Sequence, residues 1–102
     1  MILGISEHHK IFLAVQPIDF RTRLDGTLAI CRQRLACDPG TGHVFIFRNK
    51  KMTVIRCIFY DKNGFWFMEK RLSKGKYHFW PKSAYSACEL TPLQLQQLLG
   101  NQ

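Results

Sequence analysis

The sequence predicts an α+β fold: a first strand, one long helix packed on an antiparallel β-meander, and a short C-terminal helix. Three observations carry this. Between residues 44 and 72, three runs rich in Phe, Ile, Val, Tyr and Trp are separated by short polar turns, the pattern of consecutive strands. Ahead of them, Leu24, Leu28, Cys31 and Leu35 recur at four-, three- and four-residue steps and fall on one helical face. Near the end, Thr91-Pro92-Leu93-Gln94 has the order of a capping box with proline at the first helical position.

The first strand is expected from Ile11 to Val15, closed by Gln16-Pro17, because proline cannot donate to a ladder. Asp19 then stands where a side chain can accept from the free N–H groups of a helix, and that helix is expected from Phe20 to Ala36. Gly26 within it forfeits roughly 1 kcal/mol against Ala, so its position implies close approach of something packed above it. Arg21 and Asp25, four apart, are expected to pair on the solvent face.

Asp38-Pro39-Gly40-Thr41-Gly42 reads as a turn. The meander strands are expected over Val44 to Arg48, Thr53 to Tyr60 and Phe65 to Leu72. Asn49-Lys50-Lys51 and Asp61-Lys62-Asn63-Gly64 are short enough for hairpins, with Asn63-Gly64 supplying left-handed backbone. Ser73-Lys74-Gly75-Lys76 reads as a third tight turn, leading to Tyr77-His78-Phe79-Trp80-Pro81. In the last helix Leu95, Leu98 and Leu99 form the apolar face, and Gly100 ends it.

At 102 residues the chain is expected to form a single domain. Apolar residues make up 46% and charged residues 22%, so the chain is not of the disordered class. The N-terminal Met1 to Glu7 has neither a basic start nor a long apolar run, so no secretory leader is expected, and no apolar run is long enough for a membrane span. Together these imply a cytoplasmic protein with no membrane partner. Cys31, Cys37, Cys57 and Cys88 form no Cys-x-x-Cys pair and are expected to be reduced thiols.

The balance of charge is the outlying property. The net charge is +8 with a pI near 9.7, and the entire excess lies between Arg48 and Lys82. Such a field favours a polyanionic partner. The residues expected to contact phosphates are Arg48, Lys50, Lys51, Arg71, Lys74 and Lys76, with Arg21 and Arg23 as secondary candidates. Since successive meander turns alternate ends, Asn49–Lys51 and Ser73–Lys76 should share one edge. The aromatic residues between the charges are expected to lie mostly in the core. Arg56 stands on the face of Val54, Ile58 and Tyr60, where a half-buried arginine usually has an acidic partner; Glu69 is available if the register allows it, so a structural ion pair is expected, with a ligand anchor as the alternative.

Other chemistries find little support. His8, His9, His43 and His78 lack Cys or His partners at zinc-binding spacing, so no metal or other cofactor is expected. The seven acids are scattered, and Asp19, Asp25 and Asp61 each have a local role as cap, helix-surface partner or turn former. Gly40-Thr41-Gly42 lacks the lysine and following helix of a phosphate loop. No enzyme activity is expected.

Read in order, the motifs resemble a family: the small accessory protein, often called TnpB, of the insertion sequence 66 class of bacterial transposable elements. The resemblance is carried by Ile11-Phe12-Leu13-Ala14, by Pro17-Ile18-Asp19-Phe20-Arg21 and by Leu24-Asp25-Gly26. It continues through Asp38-Pro39…Gly42, Val44-Phe45-Ile46-Phe47-Arg48-Asn49-Lys50, Tyr60-Asp61…Gly64-Phe65-Trp66 and Lys70-Arg71-Leu72…Gly75. Trp80-Pro81 and Leu90-Thr91…Gln94-Leu95…Leu98-Leu99 complete it, so that residues 11–100 are covered. Two positions depart from the family pattern: Gln16 replaces a glycine before Pro17, and Arg56 replaces a lysine, keeping charge but not geometry.

The resemblance implies a non-catalytic helper in transposition, encoded beside a larger transposase. Combined with the charge, it leads to the expectation of DNA binding at element ends or at a transposition intermediate. The alternative expectation is an adaptor that docks on the transposase without gripping DNA.

Overall fold

The computed structural model of the chain describes residues 8–100; the N-terminal residues read above as lacking a leader lie outside them. Five strands build one mixed sheet: β1 (Ile11–Ala14), β2 (Val44–Arg48), β3 (Val54–Asp61), β4 (Gly64–Arg71) and β5 (Ala87–Leu90), in the order β4-β3-β2-β1-β5. Helix α1 (Leu24–Gln33) connects β1 to β2, which run parallel, while every other pairing is antiparallel. Helix α2 (Pro92–Leu99) closes the described chain.

Strand alternation gives the sheet two covered faces. Phe45 and Phe47 of β2 and Ile58 of β3 meet Leu28, Cys31 and Leu35 on the α1 side. Val44 and Ile46, with Ile55 and Phe59, face Tyr77, Trp80 and the α2 residue Leu98 on the other. Because both faces are covered, β2 reads as an unbroken apolar run and four of its five residues are buried. Phe45, Phe47 and Phe59 are core, as composition suggested, whereas Trp66 is exposed.

The predicted long helix is shorter than its apolar stripe. It begins at Leu24, with Arg23 as an N-cap lacking a side-chain hydrogen bond. Asp19 does not cap it. Residues 19–22 instead make a turn in which the Thr22 N–H donates to the Asp19 carbonyl (3.1 Å). Arg21 likewise pairs with Asp19 rather than Asp25.

Gly26 is where close approach was expected, and the close neighbour is Thr22: a Cβ on Gly26 would overlap the Thr22 Cγ2 methyl. In the β3–β4 hairpin the left-handed residue is Lys62 (φ 55°), not the Asn63-Gly64 pair, and Gly64 already belongs to β4. Strand β5 was not foreseen. The capping box of α2 forms in full, with Gln94 N–H donating to Thr91 Oγ1 and Thr91 N–H to Gln94 Oε1.

One buried cation ties these layers together. Arg56 is fully buried in β3, directly opposite Glu69 of β4. Its Nε donates to Glu69 Oε2 (2.7 Å), its Nη1 to the Thr22 carbonyl (2.6 Å) and Thr27 Oγ1 (2.8 Å), and its Nη2 to the Phe20 carbonyl (3.0 Å). The rings of Phe20 and Phe67 lie 4.2 and 4.6 Å from the guanidinium carbon. The register thus supplies the acidic partner that the sequence required. The residues ahead of α1 owe their non-helical turn in part to this network, since two of their carbonyls are committed to Arg56.

Truncating one member of a buried charge pair strands the other, a cost of roughly 3–5 kcal/mol. Arg56→Ala is therefore expected to lower the unfolding free energy by about that much in urea denaturation. Glu69→Gln is expected to be costly as well, because the charge it strands is that of the fully buried Arg56. Gly26→Ala is expected to destabilise despite its gain in helix propensity, and the penalty should largely disappear in a Thr22→Ala background.

Candidate functional site

The chain leading into α1, the β2–β3 turn and the end of β4 enclose a concave surface of about 880 Å³. Its cationic lining comes from all three: Arg21 and Arg23, Lys50 and Lys51, and Arg71. Asp19 is the carboxylate among the lining residues. Each wall has a structural reason for its place.

The turn wall is held by Asn49. Its Oδ1 accepts from the N–H groups of Thr53 (2.9 Å) and Val54 (3.1 Å), and its Nδ2 donates to Thr53 Oγ1 (2.8 Å). Met52 takes a left-handed conformation (φ 61°) to close the loop. The asparagine thereby clasps the loop from within and leaves Lys50 and Lys51 exposed at its tip. The opposite wall, residues 17–23, is fixed by Ile18, whose N–H donates to the Arg48 carbonyl (3.0 Å), and by the Arg56 bonds to the Phe20 and Thr22 carbonyls. Arg71 lies across from Val54 on β4, on the face of Phe67 and Glu69.

Arg21 and Asp19 form a close ion pair on this rim. Arg21 Nη2 donates to Asp19 Oδ2 at 2.7 Å, while Arg21 Nε and the Arg21 backbone N–H add further bonds to the carboxylate. The Arg21 side-chain hydrogen bonds, aided by its backbone N–H, pull the Asp19 carboxyl down to about 2. Asp19 is consequently ionised at any ordinary pH and offsets the charge of Arg21. Arg23, Lys50, Lys51 and Arg71 make no ion pair among the described residues. The groove is therefore strongly positive.

The other candidate bases divide. Lys74 and Lys76 sit at the same end of the sheet, where Leu72 N–H donates to the Thr53 carbonyl and Tyr77 N–H to the Met52 carbonyl. The turn containing them, with Gly75 left-handed (φ 71°), lies beside the β2–β3 turn, but neither lysine lines the groove. Arg48 does not line it either. Alternation along β2 sends its side chain to the opposite face, beside Trp80. Counting that alternation from Phe47 would have separated Arg48 from the patch.

Among the described residues no group of three His, Cys, Asp or Glu side chains could hold a metal ion. The four cysteines are free thiols, and burial pushes those of Cys31 and Cys57 up to about 12, far from the thiolate form a nucleophile needs. No helix among the described residues is long and apolar enough to cross a membrane.

A family model described as IS66 Orf2 like protein matches residues 9–101. The chain belongs to that family. As an IS66 Orf2-like protein it has a transposition-associated accessory role. Two similar proteins of Sinorhizobium fredii (strain NBRC 101917 / NGR234) accompany it. One, y4jC, is 38% identical over 97% of this chain and 84% of its own length. The other, y4hO, is 26% identical over 97% of this chain and 85% of its own length. Both are named as uncharacterized proteins. No solved structure gives a significant match.

The rim pair of this IS66 Orf2-like protein offers a direct test. An Asp whose folded pKa lies below its unfolded value contributes stability above the unfolded value and loses it as pH falls through the folded one. The Asp19–Arg21 contribution should persist above about 3.8 and fade as pH falls towards about 2. A carbon-detected NMR titration should place the Asp19 carboxyl near the lower figure. In Arg21→Ala it should return towards 3.8.

Proposed function

We propose that this accessory protein binds nucleic acid of its own element during transposition, without catalysing a step, and does so in the cytoplasm through the groove between residues 17–23 and the β2–β3 turn. The observation that supports this reading is convergence. Four cations lacking an ion pair among the described residues, Arg23, Lys50, Lys51 and Arg71, come from three separate chain segments onto one concave surface. Neighbouring like charges cost free energy unless a polyanion neutralises them. Flexible lysines at a turn tip and arginines along a wall suit phosphate contacts, which position a backbone without reading sequence. Lys74 and Lys76 extend the same field past the groove rim, and Arg21 adds hydrogen-bond donors more than charge.

Binding by such a groove must weaken with salt, because each neutralised phosphate releases condensed counterions. With four uncompensated cations engaged, the slope of log affinity against log salt should be roughly −3 to −4 for duplex DNA and somewhat shallower for a single strand. Fluorescence anisotropy with labelled DNA from the element ends measures it. Lys50→Ala with Lys51→Ala should make the slope shallower by about 2, with thermal stability unchanged. Absence of binding to either form of DNA at low salt would overturn the proposal. A transposase that co-purifies equally with this variant and with the unaltered protein would dock on a different surface.

A further inference from the structure

A second concave surface, of about 450 Å³, lies on the opposite face of the same sheet end. It is lined by Gln16, Arg48, Met52, Trp80 and Lys82 among others. The two surfaces flank the same two chain segments. Pro17 to Asp19, Asn49 to Lys51 and Thr53 contribute to the first, whereas Val15, Gln16, Arg48 and Met52 contribute to the second. The segments are joined by the Ile18 N–H to Arg48 carbonyl bond, so the β2–β3 turn forms a ridge with a basic groove on either side.

Arg48 differs from Arg56 in a telling way. Every nitrogen of Arg56 is hydrogen-bonded. Arg48 makes, among the described residues, one long hydrogen bond, from Nη1 to the Asn49 carbonyl (3.4 Å), and its Nε is buried without a partner. Its guanidinium rests 5.7 Å from the centre of the Trp80 ring, it has no acidic partner among the described residues, and burial lowers its pKa. The buried Nε is out of a ligand's reach, but Nη1, with its one long bond, and Nη2 keep donors that an incoming anion would complete.

Beside Arg48 runs a loop tethered at both ends. Trp80 Nε1 donates to the Ala14 carbonyl (3.0 Å), and the Ser86 carbonyl accepts from the Val15 N–H (3.0 Å). Phe79 and Tyr85 bracket this loop and are 62% and 79% exposed, with the exposed Lys82 between them. Large aromatic side chains left in water beside cations make a surface on which bases can stack.

We infer that the polymer bound is single-stranded, passing from the first groove over the β2–β3 turn into the second, where Arg48 and Lys82 meet its phosphates, and on past Lys82, which also borders the neighbouring surface lined by Phe79, so that the exposed rings of Phe79 and Tyr85 stack on its bases. This rests on the nucleic-acid reading above and adds the strand state. A duplex resists the path, because its persistence length of about 50 nm makes a turn around so small a ridge costly. Its bases, already stacked on one another, are also withheld from side chains. A single strand bends freely and offers every base face.

The test uses the full chain and a labelled 20-nucleotide probe from the element end, presented as either strand alone and as the annealed duplex, at about 50 mM salt. The expected result is at least tenfold tighter binding of the single strands. Phe79→Ala with Tyr85→Ala should weaken single-strand binding about tenfold and leave duplex binding unchanged. All these side chains are exposed, so melting temperature should not move. Lys82→Ala should weaken single-strand binding about threefold. Duplex binding as tight as single-strand binding, or equal loss of both in the aromatic variant, would overturn this inference while leaving the nucleic-acid reading intact. Failure of every probe to bind would overturn both.

Discussion

Burying a guanidinium is the constraint around which this fold is organised. A cation removed from water is tolerable only if its donors and charge are met, and Arg56 meets them with four groups from three places. Glu69 gives the charge across the β3–β4 ladder, Thr27 gives a hydroxyl from α1, and Phe20 and Thr22 give carbonyls from the chain entering α1. The faces of Phe20 and Phe67 complete the enclosure. A lysine would carry the charge but could reach at most three acceptors from a single point. Sheet, helix and lead-in are thus referenced to one side chain, and the basic groove owes one of its walls to it.

The same sheet holds a second arginine that is not met in this way. Arg56 and Arg48 belong to neighbouring antiparallel strands, yet alternation sends one into the α1 layer and the other towards Trp80. The first is saturated and enclosed, so it has nothing left to offer a ligand. The second keeps unused donors at the mouth of a groove. Charge alone does not distinguish these two arginines; the count of satisfied donors does.

Much of the architecture was legible in the sequence because it depends on local rules. The meander follows from β-rich runs between polar turns, and the capping box of α2 from four consecutive residues. Elements decided by distant partners were not legible. Asp19 looks like a helix cap, but its carboxylate is taken by Arg21, and Arg56 holds the carbonyls of Phe20 and Thr22 in the turn that precedes the helix. Strand β5 reads Ala-Cys-Glu-Leu, a composition with no β preference, and it forms because β1 offers an unpaired edge. The site was half-legible. Two basic turns meeting at one end of the sheet follow from meander geometry, but the parity that removes Arg48 to the other face needed strict counting along β2.

The Arg56 bonds to the groove wall end on main-chain oxygens of residues 20 and 22. Main-chain carbonyls are supplied by every residue type, so this anchorage places no demand on the side chains at 21 and 23. Apart from Phe20 and the Asp19–Arg21 pair, the scaffold's stability thereby depends little on the chemistry displayed on that wall. Sequence drift can retune the charge and shape offered to a partner there while the load on the fold stays with residues 56, 69 and 27.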